Sequence, residues 1–218
     1  MHDNYKKIIM HYNKLYKKYG YSAKSIGWGK NRKNLRYHIL CSNFNLSYKS
    51  ILDFGCGFGN LISYLDCYYK DFEYTGLDIN EKFLKEARKH YPKNKFKKID
   101  AFSSQIDKKY DFIVSSGVHN TKIKDNYYFI KDTMEKFNAA SNCGFAMNFL
   151  STNVDYKEEN LFYSNPSKIL KIGLIYSNNI LLRHDYMPFE FTLIVFKDKK
   201  VDKELNIFED YVSKNKLP

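Results

Sequence analysis

Residues 51–65, ILDFGCGFGNLISYL, restrict the fold more than any other stretch of the chain. An apolar run of strand length meets three glycines at alternate positions, and a helical pattern follows at once. Such a turn brings backbone amides and a helix N-terminus up to a polar or anionic ligand. It also implies a parallel sheet, because the helix serves as the crossover to the next strand.

The chain keeps that rhythm. Strands are expected over 50–54, 73–78, 95–99, 110–115 and 144–150, and helices over 59–69, 81–90 and 125–140. Asn80 ahead of Glu81 suits an N-cap, and Pro92 lies just past the end of that helix. Before the first strand, Tyr5, Ile8, Ile9, Tyr12, Leu15 and Tyr16 share one face of a helix over 4–19. A loop marked by Gly20, Gly27 and Gly29 leads to a second helix over 32–43.

After residue 150 the pattern changes. A long insertion over 151–179 contains a helix starting at Pro166, with Asn165 as its cap. Two β-rich runs then meet at Met187-Pro188 with no room for a crossover, so they form an antiparallel hairpin whose final strand covers about 189–197. The expected fold is α/β: a Rossmann-like, doubly wound, seven-stranded and mostly parallel sheet with a C-terminal antiparallel hairpin strand and an N-terminal helical lid.

Composition narrows the function classes. At 218 residues one domain is expected, with no apolar run long enough to span a bilayer and no secretory h-region at the N-terminus. Cys41, Cys56, Cys67 and Cys143 lack metal-ligand or disulfide-framework spacing, so a reduced, cytoplasmic protein without a metal is expected. The net charge of +12 raises nucleic-acid binding, but the lysines are scattered, with only short clusters at 30–36 and 93–98.

The spacing Gly55-Cys56-Gly57-Phe58-Gly59 is not the dinucleotide pattern G-x-G-x-x-G, and Asp53 precedes it. A carboxylate there would repel a diphosphate but accept bonds from an ammonium. Asp78 ends the second strand, nineteen positions beyond Gly59, where an acid takes both hydroxyls of an adenosine ribose. Asp100 ends the third strand and would meet the adenine amino group, with Ala101 and Phe102 beside the ring. Taken singly, any of the three acids could instead be a helix cap.

LDFGCGFGN, YTGLDIN, KKIDAF and YDFIVSSGVHN together resemble the successive motifs of class I S-adenosylmethionine-dependent methyltransferases. More narrowly, Gly27-Trp28-Gly29, Asn148-Phe149-Leu150-Ser151, Arg183 to Tyr186 and Glu190-Phe191-Thr192 resemble a bacterial small-molecule subgroup, some of whose members resemble enzymes that decorate surface polysaccharides or their precursors. The resemblance implies that Gly55, Gly57 and Gly59 pack against the methionine part of S-adenosylmethionine, that Asp78 holds the ribose and that Ile79 contacts the adenine. Asp100 and Ala101 would close the adenine pocket, Ser116 would lie near the sulfonium, and Trp28 would fold over the cofactor or simply pack in the core. The product would be S-adenosylhomocysteine. The chain would be a single methyltransferase domain, with a lid over 1–45, a cofactor-binding core over 46–150, and a substrate-side insertion and hairpin over 151–218.

Methyl transfer is an in-line displacement that needs alignment and at most one base. SSGVHN, after the fourth strand, is unlike the Asn/Asp-Pro-Pro-aromatic loop of base-amine methyltransferases. His119 in that loop and His184 in the hairpin are candidate bases, since histidine titrates near neutrality; either could equally be structural. Along the hairpin strand Arg183 and Asp185 should face one way and His184 and Tyr186 the other. Arg183 either pairs with Asp185 or binds an anionic acceptor. Arg183 and Tyr186 are thus candidate acceptor contacts, and His11, Tyr12 and Arg36 would complete the lid. The expected activity is methylation, chiefly O-methylation, of a small polar or anionic metabolite by a monomer or homodimer; one version is an O-methyl phosphoramidate step in capsular polysaccharide synthesis. The alternatives are an RNA-modifying enzyme, a cofactor-binding protein without catalysis, and a nicotinamide dehydrogenase.

Overall fold

The computed structural model describes residues 2–27, 32–197, 200–209 and 211–212. Helix α1 (His2–Tyr19) and a short 3-10 turn (Ala23–Ile26) precede α2 (Lys33–Cys41). The core then runs β1 (Ser50–Phe54), α3 (Leu61–Tyr68), β2 (Glu73–Asp78), α4 (Glu81–His90), β3 (Lys95–Lys98), β4 (Tyr110–Ser116), α5 (Asn126–Ala140) and β5 (Ser141–Leu150). Helix α6 (Pro166–Gly173), β6 (Ile180–Met187) and β7 (Glu190–Phe196) complete it, and a two-stranded ribbon of β8 (Val201–Asp202) and β9 (Ile207–Phe208) stands apart.

The main sheet has seven strands in the order β3-β2-β1-β4-β5-β7-β6. Pairs among β1 to β5 are parallel, while β7 is antiparallel to both β5 and β6. Successive strand residues enter different cores, as pleating requires. Ile51 packs with Leu40, Leu65 and Leu84 from α2, α3 and α4, whereas Leu52 packs with Phe137 and Ile169 from α5 and α6. Burial on both faces explains why β1 reads as a continuous apolar run.

The caps follow the sequence. Asn80 accepts from the Lys82 amide at 3.0 Å, and Asn165, ahead of Pro166, accepts from the Lys168 amide at 3.0 Å. Helix α3 begins two residues later than expected, because Gly59 takes a φ of +74° outside the helical region. Strand β5 begins three residues earlier than expected, directly after α5, and its pairing with β4 slips between Tyr110 and Phe112.

Chain order reverses between β1 and β4, which opens a crevice above their C-terminal ends. The stretch following β5 folds back over it. Ser151 bridges Ser164, Thr121 bridges Leu161, and the Phe162 amide donates to the Asn120 carbonyl at 2.9 Å. No helix among the described residues is long and apolar enough to cross a membrane.

Candidate active site

The glycine turn is strapped to β2. The amides of Gly55 and Cys56 donate to the Leu77 carbonyl at 2.7 and 3.0 Å, and the Gly57 amide donates to Asp78 Oδ2 at 2.8 Å. Gly55 has a φ of +79°, and a Cβ there would collide with Val118 Cγ2. A cavity above the turn is lined by Tyr12, Asp53, Gly55, Gly57, Asp78, Ile79, Ala101 and Ser116, all expected from the sequence. Its flat apolar walls include Phe83, Ile99 and Phe102, and Phe102 stacks on Phe129 at 4.4 Å. Phe83 and Ile99 were not legible as site residues, since each sits in an ordinary core pattern.

Two buried carboxylates face this space. Burial pushes Asp53 up to about 7; the Tyr74 hydroxyl, donating at 2.8 Å, opposes the shift and the nearby Asp78 adds to it. Burial likewise raises Asp78 to about 6, against the pull of the amides of Asn80 and Gly57, each at 2.8 Å. Both anions are under-compensated, so a ligand bringing an ammonium and hydroxyl donors fits them.

Two cofactor expectations need revision, and a third lies outside the described residues. The Asp100 carboxylate does not line the cavity: it caps a local turn, accepting from the Phe102 amide at 3.0 Å and the Ser103 hydroxyl at 2.8 Å. Gly59 also lies outside the lining, and its missing side chain admits the rings of Phe96 and Tyr91 instead. Trp28 lies outside the described residues.

A second cavity of about 670 Å³ adjoins the first, and Tyr12, Ile26, Ser116, Gly117 and Thr121 line both. Its other walls come from Arg32 and Arg36 at the cap and body of α2, Asn148 of β5, the stretch after β5 (Asn153, Asp155, Tyr156, Tyr163) and the hairpin (Phe189, Glu190). Arg32 lies over the Phe189 ring at 5.0 Å. Arg36 Nε reaches both Glu190 oxygens at 3.0 and 2.7 Å, and its Nη2 also bonds Glu190. His11 and Tyr12 of α1 overhang the opening, and burial raises the Tyr12 phenol.

The expected catalytic side chains lie elsewhere. His119 is 1% exposed, bonded through Nε2 to Thr133 Oγ1 at 3.1 Å and packed against Phe129 and Phe149. The short 3-10 turn of Val118–Asn120 aims it into the core, where burial depresses its imidazole to about 3. It lines neither cavity and stays neutral. Arg183 forks onto Asp185 with two contacts of 2.7 Å, at the surface and away from both cavities. The expected alternation holds for Arg183 and Asp185, which share a side, and fails for His184 and Tyr186, because the register slips between Arg183 and Met187. His184 stacks on Phe191, whereas Tyr186 bonds Thr192 at 2.8 Å; burial raises its phenol, the Thr192 bond opposes the shift and the Glu190 charge adds to it.

Among the described residues no group of three or more His, Cys, Asp or Glu side chains could hold a metal ion.

A family model described as a methyltransferase domain matches residues 51–136. Rv1506c of Mycobacterium tuberculosis (strain ATCC 25618 / H37Rv), named as a methyltransferase, is 32% identical over 155 residues, covering 68% of this chain and 93% of that protein. Among solved structures, magnesium protoporphyrin IX methyltransferase (ChlM) from Synechocystis PCC 6803 with bound SAH superposes with a TM-score of 0.64 at 15% identity, over 88% of this chain and 99% of that one. An S-adenosylmethionine-dependent methyltransferase from Clostridium acetobutylicum ATCC 824 gives a TM-score of 0.59 at 17% identity, over 88% and 98%. Sequence and architecture agree: the chain belongs to the methyltransferase family, with the fold of its S-adenosylmethionine-dependent members.

Proposed function

We propose that the first cavity binds S-adenosylmethionine and the second binds a small polar or anionic acceptor, whose oxygen is methylated at the shared Ser116–Gly117 wall. The observation that carries this reading is the pair of adjoining cavities lined in common by Tyr12, Ile26, Ser116, Gly117 and Thr121. When bound, the sulfonium supplies an electrophilic methyl group. Asp78 would hold the ribose hydroxyls, Asp53 would take the ammonium directly or through water, and Ile79, Ala101 and Phe102 would sandwich the adenine.

The chain's own contribution is alignment and exclusion of water by the Tyr12 roof. Among the described residues lining the second cavity, His11 is the one imidazole, and it sits at the exposed rim. An acceptor oxygen that is already ionised needs no base, which favours a phosphoryl or carboxylate acceptor over a neutral alcohol. Arg32, on the same wall, offers such an anion a cation. The resemblance to the bacterial subgroup supports one concrete version, O-methylation of a phosphoramidate group destined for capsular polysaccharide. The test is release of S-adenosylhomocysteine from S-adenosylmethionine with pools of phosphorylated metabolites, nucleotide sugars and bulk RNA. Turnover on the first two alone supports the reading, and turnover on RNA alone replaces it with the RNA-modifying one suggested by the charge of +12.

A further inference from the structure

A buried chain of hydrogen bonds runs from the lid side of the molecule to the wall between the two cavities. Arg36 of α2 holds the carboxylate of Glu190 at the start of β7, and Glu190 Oε2 accepts from Asn148 Nδ2 at 3.3 Å. The other end of the Asn148 amide faces the loop after β4, where its Oδ1 accepts from the Gly117 amide at 2.7 Å and the Ser116 hydroxyl at 3.4 Å. Asn148 and Glu190 are 1% and 2% exposed, so the central amide–carboxylate contact is shielded from bulk water.

The direction of the chain is chemically fixed. A primary amide has one accepting and one donating end. The Glu190 carboxylate, ion-paired with Arg36, accepts and the Gly117 amide donates, so Nδ2 points to Glu190 and Oδ1 to the loop. Gly117 needs that oxygen. It adopts a φ of +76° at the start of the 3-10 turn, and its amide donates to the Asn148 oxygen. A buried ion pair contributes little net stability by itself, whereas it does hold a register.

We propose that Asn148 is a positioning residue for methyl transfer, oriented by Glu190 and Arg36 so that it fixes the Ser116–Gly117 peptide between cofactor and acceptor. This rests on the assignment of the two cavities given above. The role gives a task to two motif residues that the sequence singled out without one, Asn148 and Glu190, and a different task from the expected lid to Arg36.

The test separates the two ideas. Amide hydrogen exchange of the whole chain, read at Gly117 by NMR without any ligand, reports the loop contact. Asn148→Ala should speed Gly117 exchange roughly tenfold, the loss of one buried hydrogen bond. The paired variant Arg36→Met/Glu190→Leu, which leaves no charge stranded and removes the carboxylate that Nδ2 donates to, should do the same although neither residue touches Gly117. Arg36→Met/Glu190→Gln, which restores an accepting oxygen, should return the protection. In the S-adenosylhomocysteine release assay Asn148→Ala should lower turnover at least about tenfold while cofactor affinity stays within about twofold. Unchanged Gly117 exchange in both the alanine and the Met/Leu variants overturns the proposal, as does wild-type turnover in Asn148→Ala. Failure of the wild-type chain to bind S-adenosylmethionine would instead overturn the function proposed above, and the exchange result would still decide whether Asn148 holds the loop.

Discussion

Asp53 and Asp78 make opposite contributions to stability and to binding. Each carboxyl titrates higher in the folded chain than the ordinary carboxylate value of 3.8, because each is buried. The folded state therefore holds more protons than the unfolded one between about pH 4 and 7, and stability falls as pH rises through that window. Asp53→Asn keeps an oxygen for Tyr74 and removes the buried charge. Without ligand at pH 8 it should melt higher, by on the order of 3 °C for each kcal/mol recovered, and its melting temperature should vary less between about pH 5 and 8. The same substitution should weaken S-adenosylmethionine binding, because the ammonium loses its anion; calorimetry on one sample reads both effects. Asp78→Ala should abolish cofactor binding altogether in a titration. The wild-type affinity should itself decline as pH drops below about 7, since the ligand must displace a proton that the carboxylates then hold.

At the scale of elements, α1 is the roof, and it is held chiefly by rings. Tyr12 and Tyr16 meet Phe83 of α4 edge-on at 5.9 and 6.0 Å, and Asn80, the cap of α4, also donates to Asn13 at 3.3 Å. Asn80→Ala should cost about 1 kcal/mol of cap energy, a melting shift of roughly 2–4 °C in a chain of this size. It should also raise protease nicking within α1. These elements were largely legible in the sequence, because Asn80, Asn165-Pro166 and the doubly buried strands act through local chemistry. The second cavity was legible only in part: His11, Tyr12, Arg36 and Ser116 stood out in the sequence, whereas Arg32, Asn153, Tyr163 and Phe189 carry no local signal. His119 looked like a base from its place after β4, but a single residue's direction out of a 3-10 turn is set by packing against Phe129 and Phe149. Asp100 shows the same limit: an acid at a strand end serves as a ligand or as a turn cap according to backbone angles that no spacing reveals. The Arg36–Glu190 pair spans 154 positions, beyond the reach of any local pattern.

For the whole molecule, the charge of +12 is spread over the surface, while the second cavity places Asp155, Glu158 and Glu190 beside its arginines. Any association with bulk RNA should accordingly be nonspecific and fall steeply between low and physiological salt, as a filter-binding titration would show. Turnover should be indifferent to chelators, since methyl displacement at an aligned sulfonium asks for no Lewis acid. The single roof over both cavities has a kinetic consequence. Tyr12 borders both cavities, so on the proposed assignment a ligand in one is enclosed by the same ring as a ligand in the other. Binding of one should alter the dissociation rate of the other, and spent cofactor should leave slowly while the acceptor chamber stays filled.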